Sequence, residues 1–193
     1  MKENQPSGRD KRKLAKLLWD RLRQGERSAL DRLFRLYFDP LYYYGYRIVS
    51  DNDQVRDAIQ NVFLQLWKSR NKLSDVRSVK GYLFASLRRQ LLKQIDSQKR
   101  RQDLNDQYGL EAFQPMLNYE EWLEVLDIKR EQKSALKNAI DSLTTRQKEA
   151  IYLKYYEGLS NQELAWVMKL KQQSIYNLVS EAIDRLRSFV ENQ

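Results

Sequence analysis

The side chains of this chain that could do chemistry are carboxylates, lysines and arginines, because it contains no histidine and no cysteine. Imidazole and thiolate metal sites, Ser-His-Asp and Cys-His nucleophile pairs and the usual general base at neutral pH are therefore excluded. Six glycines and three prolines in 193 residues leave no glycine-rich phosphate loop. We therefore expect a binding protein rather than an enzyme, with no metal and no cofactor.

The densest group of charged side chains lies between Arg77 and Arg101, where eight basic residues accompany one acid, Asp96. Basic side chains neutralise phosphates, and two aromatic residues near the start of this stretch, Tyr82 and Phe84, could stack on unpaired bases. The combination suits a single strand of nucleic acid better than an intact duplex. An ordinary solvated basic face is the alternative. The basic residues are Arg77, Lys80, Arg88, Arg89, Lys93, Lys99, Arg100 and Arg101.

A second candidate recognition segment is LSNQELAWVMKLKQQSIYNLVSEAIDRL, residues 159–186. Ser160 followed by Glu163 is a capping box, which fixes the start of a helix. A short capped helix, a tight turn and a second amphipathic helix predict a helix-turn-helix, whose second helix lies in the DNA major groove. An ordinary helical hairpin explains the same spacing equally well. The apolar face of the second helix comprises Ile175, Leu178, Val179, Ala182, Ile183 and Leu186.

The polar face of that second helix is rich in amide side chains. Glutamine and asparagine can bond the edge of adenine through two hydrogen bonds. Between Lys171 and Arg187 there are only three basic residues against two acids, so this surface supplies little phosphate affinity. We expect it to read bases while other parts of the protein supply affinity. The exposed candidates are Lys171, Gln172, Gln173, Tyr176, Asn177 and Ser180.

The composition of the whole chain favours a polyanionic partner. The net charge is +9 and the isoelectric point about 9.6, which suits nucleic acid or an anionic membrane surface. No apolar run approaches the roughly 18 to 20 residues that span a bilayer, and the N-terminus is too polar for a signal peptide. Abundant leucine, arginine, lysine and glutamine without β-alternation predict an all-α protein that is soluble and intracellular.

Several helices must position these candidate residues. The apolar spacing predicts one helix from Lys11 to Gly25 and another that begins at Ser28. Pro40 lies inside the second pattern and should kink or break that helix, because its ring clashes with the preceding turn. Three consecutive tyrosines follow, residues 42–44, and at least one of them must lie on the surface.

The segment from Asp51 to Arg70 is the cleanest helix in the sequence. Its opposite, polar face contains one leucine, Leu64. A single exposed leucine is unremarkable, yet a leucine on a polar face is also typical of partner surfaces. The apolar face comprises Val55, Ala58, Ile59, Val62, Phe63 and Leu66, and the polar face comprises Asp57, Gln60, Asn61, Gln65 and Lys68.

A change in charge marks the domain organisation. From Gln102 to Asp127 there are seven acids and no lysine or arginine. We predict a disordered N-terminus at residues 1–10, a helical domain at 11–101, a flexible acidic linker at 102–118 and a second helical domain at 119–193. In the second domain Thr144 or Thr145 should cap a helix that Gly158 closes.

The order of these segments resembles bacterial RNA polymerase sigma factors of the extracytoplasmic-function (ECF) group of the sigma-70 family. The resemblance rests on DAIQNVFLQLW at residues 57–67, on a basic helix after a short loop, on an acidic linker and on LTTRQKEAIYLKYYEGLSNQELAWVMKL at residues 143–170. It covers about residues 19–101 and 135–186. It implies a region 2-like domain that binds core polymerase and melts the −10 element, and a region 4-like domain that reads the −35 element.

The resemblance also assigns roles to residues. In this family the usual tryptophan stands where this chain has Tyr82, and the usual asparagine stands at Arg89. Leu64 lies where the family contacts polymerase, which favours the partner interpretation of its exposure. By resemblance, polymerase contacts are Asp57, Gln60, Asn61 and Leu64; −10 contacts are Arg77, Lys80, Tyr82, Arg88, Arg89, Lys93 and Arg100; and −35 contacts are Lys171, Gln172, Gln173, Tyr176, Asn177 and Ser180.

The partners implied are core RNA polymerase and promoter DNA in the cytoplasm, without membrane insertion. Family members are commonly held by an anti-sigma factor, so such a partner is a further expectation. Two other functions remain open from the residues alone. One is a helix-turn-helix regulator that binds duplex DNA without polymerase, and the other is a helical polymerase adaptor that reads no bases. An enzyme is a distant third.

Overall fold

The computed structural model describes residues 8–102 and 133–191, with side chains at 9–97 and 138–188. The described residues fall into two compact units, 8–102 and 133–191. The regular elements in the described ranges are helical, with no β-strand among them, so the all-α prediction is confirmed. The predicted linker beyond Gln102, and the start of the second helical domain predicted at residue 119, lie outside the described residues.

The first unit is built around its second helix. Helix α2 packs against α1, α3 and α4, and α3 also packs on α4. Helix α1 begins three residues earlier than predicted, inside the segment expected to be disordered. The elements are α1 (Gly8–Arg23), α2 (Arg27–Val49), α3 (Asn52–Ser69), a 3-10 turn (Arg70–Lys72) and α4 (Val79–Gln102).

Helix α3 forms as its sequence pattern predicts. Its N-cap is Asp51, whose carboxylate accepts hydrogen bonds from the backbone amides of Asp53 at 2.9 Å and Gln54 at 3.0 Å. Because burying a large apolar side chain contributes roughly 1.5–3 kcal/mol, the apolar face fixes the orientation of this helix. The six residues of the predicted face are all buried, namely Val55, Ala58, Ile59, Val62, Phe63 and Leu66.

Helix α2 differs from the sequence prediction at its first residue, and it continues past Pro40. It begins at Arg27 rather than Ser28, and the Ser28 hydroxyl donates to the Glu26 carboxylate at 2.5 Å instead of capping the helix. Pro40 does not break the helix, which continues to Val49. The proline removes one backbone hydrogen bond, but buried side chains before and after it, including Tyr37 and Leu41, hold the helix against the core.

The second unit is organised around its last helix. Helix α8 packs against α5, α6 and α7. Between α6 and α7 the chain makes one turn of π-helix, which the sequence pattern did not predict, and Gly158 follows it in a left-handed conformation with φ of +65°. The elements are α5 (Lys133–Ser142), α6 (Thr145–Ile151), the π-turn (Tyr152–Tyr156), α7 (Asn161–Met168) and α8 (Gln172–Glu191).

Capping residues determine where helices α6 and α7 begin and where α7 ends. Thr144 with Gln147 caps α6, and Ser160 with Glu163 caps α7, each as a reciprocal capping box. Helix α7 ends at Met168, and the C-cap residue Lys169 is left-handed with φ of 54°. The next amide, of Leu170, donates back to the Ala165 carbonyl at 2.9 Å, which closes the helix end. The predicted helix-turn-helix is therefore present.

Candidate polymerase and DNA interfaces

The outer face of α3 carries the four residues assigned to polymerase binding. Asp57, Gln60, Asn61 and Leu64 are all exposed, and their spacing of three and four residues places them on one side of the helix. Leu64 is 46% exposed although it is apolar. The buried face of α3 lies opposite, so the fold presents this surface to solvent rather than using it for packing.

The basic helix α4 exposes part of its charge. Arg89 and Lys93 are exposed and four residues apart, so they lie on the same side of the helix. Arg77 is exposed in the loop before α4. Lys80 is half-buried, with its ammonium group 5.4 Å from the centroid of the Phe84 ring. The backbone of residue 100 is helical, but its side chain lies outside the described side chains.

Arg88 occupies a different position from the other predicted −10 contacts. Its side chain is only 6% exposed, on the face that also carries the buried Phe84, Leu87 and Leu91. The guanidinium group is therefore largely shielded from solvent in this conformation. The run of basic residues between Arg77 and Arg101 did not show this burial. Adjacent residues on a helix point about 100° apart, so neighbouring cations can lie on different faces.

A groove of about 280 Å³ lies between α3 and α4. It brings together Asn61, assigned to polymerase, and Tyr82, Arg89 and Lys93, assigned to the −10 strand. The sequence pattern predicted neither this groove nor a role for four further polar residues in its wall. The remaining lining residues are Val62, Gln65, Leu66, Ser69, Ser86 and Gln90.

The groove offers the chemistry that an extruded nucleotide requires. Amide and hydroxyl groups can bond base edges, Val62 and Leu66 supply an apolar floor, and two cations can bind phosphate. The positions of Tyr82, Ser86 and Arg89 at helical spacing could have indicated a shared face of α4. The facing wall on α3 could not be identified without the packing of the two helices.

The predicted −35 residues all lie on the exposed side of α8. Lys171, just before the helix, and Gln172, Gln173, Tyr176, Asn177 and Ser180 are exposed. The amide of Gln173 donates to the carbonyl oxygen of the Asn177 side chain at 3.0 Å, which orients both groups before any DNA binds. Tyr176 is 49% exposed between them. These six side chains can bond base edges, but Lys171 is the only cation among them.

Trp166 is an exposed aromatic residue that the sequence analysis did not select. It lies on α7, the first helix of the helix-turn-helix, and is 45% exposed. Its neighbours in sequence, Leu164, Val167 and Met168, are buried. Only the position of α7 against the rest of the unit shows that Trp166 faces outward.

Two further properties concern the described part of the chain. There, no cluster of three or more aspartate, glutamate, histidine or cysteine side chains could hold a metal ion. Of the helices in the same ranges, none is both long enough and apolar enough to cross a membrane.

Comparison with protein families gives two matches, one in each unit. Sigma-70 region 2 matches residues 33–101, which include α3, most of α2 and nearly all of α4. Sigma-70, region 4 matches residues 133–186, which include the helix-turn-helix. Together the two matches cover more than half of the chain.

Relatives and solved structures agree with these matches. An ECF RNA polymerase sigma factor SigK of Mycolicibacterium vanbaalenii is 25% identical over 142 residues, covering 73% of this chain and 71% of the relative. A second SigK, from Mycobacterium sp. strain JLS, is 23% identical over 145 residues, covering 74% of this chain and 72% of the relative.

Two solved structures share the fold. CnrH in complex with the cytosolic domain of CnrY superposes with a TM-score of 0.59 at 16% identity, covering 93% of this chain and 99% of that chain. The sigma factor RpoE in complex with the anti-sigma factor NepR from Bartonella quintana gives 0.56 at 21% identity, covering 83% and 96%. With both conserved regions matched in order, the chain belongs to the ECF group of the sigma-70 family of RNA polymerase sigma factors.

Proposed function

We propose that this sigma factor directs promoter-specific initiation by dividing the work among three helices. The outer face of α3 docks on core polymerase, the exposed side of α4 holds the melted −10 strand, and α8 reads the −35 element. The observation that supports this division is the groove between α3 and α4, where Asn61 of the polymerase face lies beside Tyr82, Arg89 and Lys93. The chain supplies binding free energy and no catalytic group.

Promoter melting by this protein requires the DNA contacts to offset the cost of unstacking. Extruding a base costs a few kcal/mol. Stacking on an aromatic side chain contributes roughly 1–3 kcal/mol per base, and each neutralised phosphate releases counterions. Tyr82, Arg89 and Lys93 lie at one groove. The tyrosine can supply the stacking, and the two cations can neutralise phosphates. Melting then needs no chemistry by the sigma factor itself.

The surface of α8 carries little charge, so the rest of the complex must supply additional affinity for the promoter. A domain with so few cations binds duplex DNA weakly by itself. When polymerase holds both domains on one promoter, the second contact becomes intramolecular and its effective concentration rises. The protein therefore acts in the cytoplasm together with core polymerase, and neither domain alone reads a promoter well.

An anti-sigma factor is the expected regulator. RpoE from Bartonella quintana was solved with the anti-sigma factor NepR, and CnrH with the cytosolic domain of CnrY. This chain has the same two-domain fold and exposes the apolar Leu64 on its polymerase face. We propose that an anti-sigma factor restrains it by competing with polymerase for exposed surface of this kind.

Run-off transcription with core polymerase tests the proposed function. Core enzyme plus this protein should start transcripts at a new set of promoters, which sequencing of the transcripts identifies. A duplex-binding regulator would bind DNA tightly without polymerase and give no new start site. An adaptor would bind polymerase but leave the start sites unchanged. Either result would refute the proposal.

A further inference from the structure

Helix α1 lies outside the region 2 match, which begins at residue 33, yet it holds the loop that leads into α4. Three of its side chains lie on one side, at positions 16, 19 and 23. Lys16 donates to the carbonyl of Val76 at 3.3 Å, and Arg23 donates through Nε to the carbonyl of Leu73 at 2.8 Å. Lys16 also forms an ion pair with Asp75.

Trp19 is the central contact of this group. Its side chain is fully buried, and its indole N–H donates to the carbonyl of Ser74 at 3.2 Å. A buried indole N–H requires an acceptor, because leaving it unpaired is costly. The loop carbonyl is that acceptor, so this bond holds the loop against the core. The ring of Trp19 also meets Tyr82 edge to face, with centroids 4.9 Å apart and planes at 63°.

These contacts are made mainly to the backbone of the loop, and Asp75 adds its side chain through the ion pair with Lys16. The carbonyls of residues 73, 74 and 76 face α1, whereas the side chains of Ser74, Asp75 and Arg77 are exposed. At the end of the loop, the Ser78 hydroxyl accepts from the Gly81 amide at 3.0 Å and starts α4. Helix α1 therefore sets where Arg77 and the first turn of α4 are placed.

We propose that Lys16, Trp19 and Arg23 are positioning residues for promoter opening. They hold the segment Leu73–Val76 and the Tyr82 ring in place, and we call these three residues the splint. The melted strand then binds a surface that already has its binding conformation. A loop fixed in advance loses less conformational entropy on binding, which lowers the barrier to capturing the strand. The inference rests on the proposed role of Arg77 and Tyr82 in holding the −10 strand.

A matched pair of arginines on the last turn of α1 provides the test. Arg23→Ala removes the bond to the loop together with an ion pair to Asp20 at 3.6 Å. Arg21→Ala removes the same charge and an ion pair to Glu26 at 3.9 Å, but no bond to the loop that the structure shows. Promoter opening is followed with core polymerase by the fluorescence of 2-aminopurine placed in the −10 element. Polymerase affinity is measured in parallel. Trp19→Phe serves as a second variant, since it keeps an aromatic ring and removes the N–H.

Arg23→Ala and Trp19→Phe should each slow opening roughly fivefold, the effect of one lost hydrogen bond, while polymerase affinity stays unchanged. Backbone amides at residues 73–77 should exchange hydrogen faster in both variants and at the wild-type rate in Arg21→Ala. Equal slowing by Arg23→Ala and Arg21→Ala, or parallel loss of polymerase affinity, would overturn the splint. Opening at the wild-type rate by both loop variants would also overturn it.

The same experiment separates this inference from the proposed function. If the wild-type protein opens no promoter with core polymerase, the proposed function fails. If the wild-type protein opens the promoter and both loop variants open it equally fast, the function stands and only the splint is refuted.

Discussion

Arg88 and Arg89 are adjacent on α4, but Arg88 is 6% exposed among core residues and Arg89 is exposed at the groove between α3 and α4. A buried guanidinium group carries a desolvation cost, so its removal or exposure affects the stability of the fold. An exposed guanidinium group beside Lys93 is available to phosphates. We therefore expect Arg88 to affect the stability of the fold and Arg89 to affect DNA binding.

The first prediction concerns the cations at the groove. Arg89→Ala combined with Lys93→Ala should slow open-complex formation. It should also make the plot of log affinity against log salt less steep by about 1.4, the value for two phosphate contacts on a single strand. The measurement is promoter opening with core polymerase over a range of salt concentrations. Arg88→Ala serves as the comparison and should lower the free energy of unfolding while leaving the salt slope unchanged. An unaltered slope in the double variant would contradict the assignment.

The two arginines also show what sequence reasoning can and cannot recover. The charge run predicted a basic helix correctly, and the apolar spacing of α3 identified all six of its buried residues. In α4 the apolar stripe is thinner, so the run alone did not show which cations face the core. Residues 84, 85 and 88 are also buried there. Phe84, for example, packs on Tyr44 of α2 with ring centroids 5.1 Å apart, a contact that no local pattern contains.

The second prediction concerns Leu64. Leu64→Asp should weaken binding to core polymerase about tenfold or more, because a charge would replace an apolar contact at the centre of the docking face. Leu17→Asp is the matched control, since Leu17 is 49% exposed on α1 and Leu64 is 46% exposed on α3. Affinity is measured by titration of labelled protein with core polymerase. Equal weakening by both variants, or wild-type affinity in a folded Leu64→Asp protein, would contradict the interface.

The third prediction concerns the close approach of α2 to α3 and α4. A Cβ atom added at Gly45 would lie 2.8 Å from Cγ1 of Val55 and 3.3 Å from Cδ1 of Leu91. Gly45→Ala should therefore destabilise the first unit, since overpacking costs about 1–3 kcal/mol and the gain in helix propensity returns only about 1 kcal/mol.

Unfolding in urea, followed by circular dichroism, measures this loss. Val55→Ala removes the nearest methyl group, so the double variant should be more stable than the sum of the single effects predicts. Strict additivity of the two substitutions would show that the contact does not limit the packing.

Other features of the two units could not be predicted from the sequence, for similar physical reasons. Pro40 lies in a continuous helix because the core contacts of α2 outweigh one missing hydrogen bond. The groove requires side chains from α3 and α4 to face each other, and the tie from α1 to the loop joins residues 50 to 60 positions apart. Caps such as Ser160 and Thr144 were predictable, because both partners of each capping box lie within four residues.

The fourth prediction concerns pH. The pKa of the Asp51 carboxyl lies below its ordinary value of 3.8, mainly because the backbone amide of Gln54 donates to it, followed by the side-chain amide of Gln54. A lowered folded pKa means that the ionised cap stabilises the protein above pH 3.8 and that this contribution is lost as pH falls through the folded pKa.

Asp51→Asn keeps an acceptor at the cap but cannot ionise. The wild type should therefore be the more stable protein at neutral pH, and the difference should shrink in acid, as measured by urea unfolding across that range. A difference that stays constant as the solution is acidified would show that ionisation of Asp51 does not contribute.

The fifth prediction separates base reading from phosphate binding on α8. Asn177→Ala removes an amide that the Gln173 side chain orients at 3.0 Å, so it should relax discrimination at one −35 position by about 1–3 kcal/mol. Lys171→Ala should instead weaken all −35 sequences about equally and reduce the salt dependence. Competition between single-base variants of a promoter, with core polymerase present, measures both effects. Uniform weakening by Asn177→Ala would mean that this amide contacts no base.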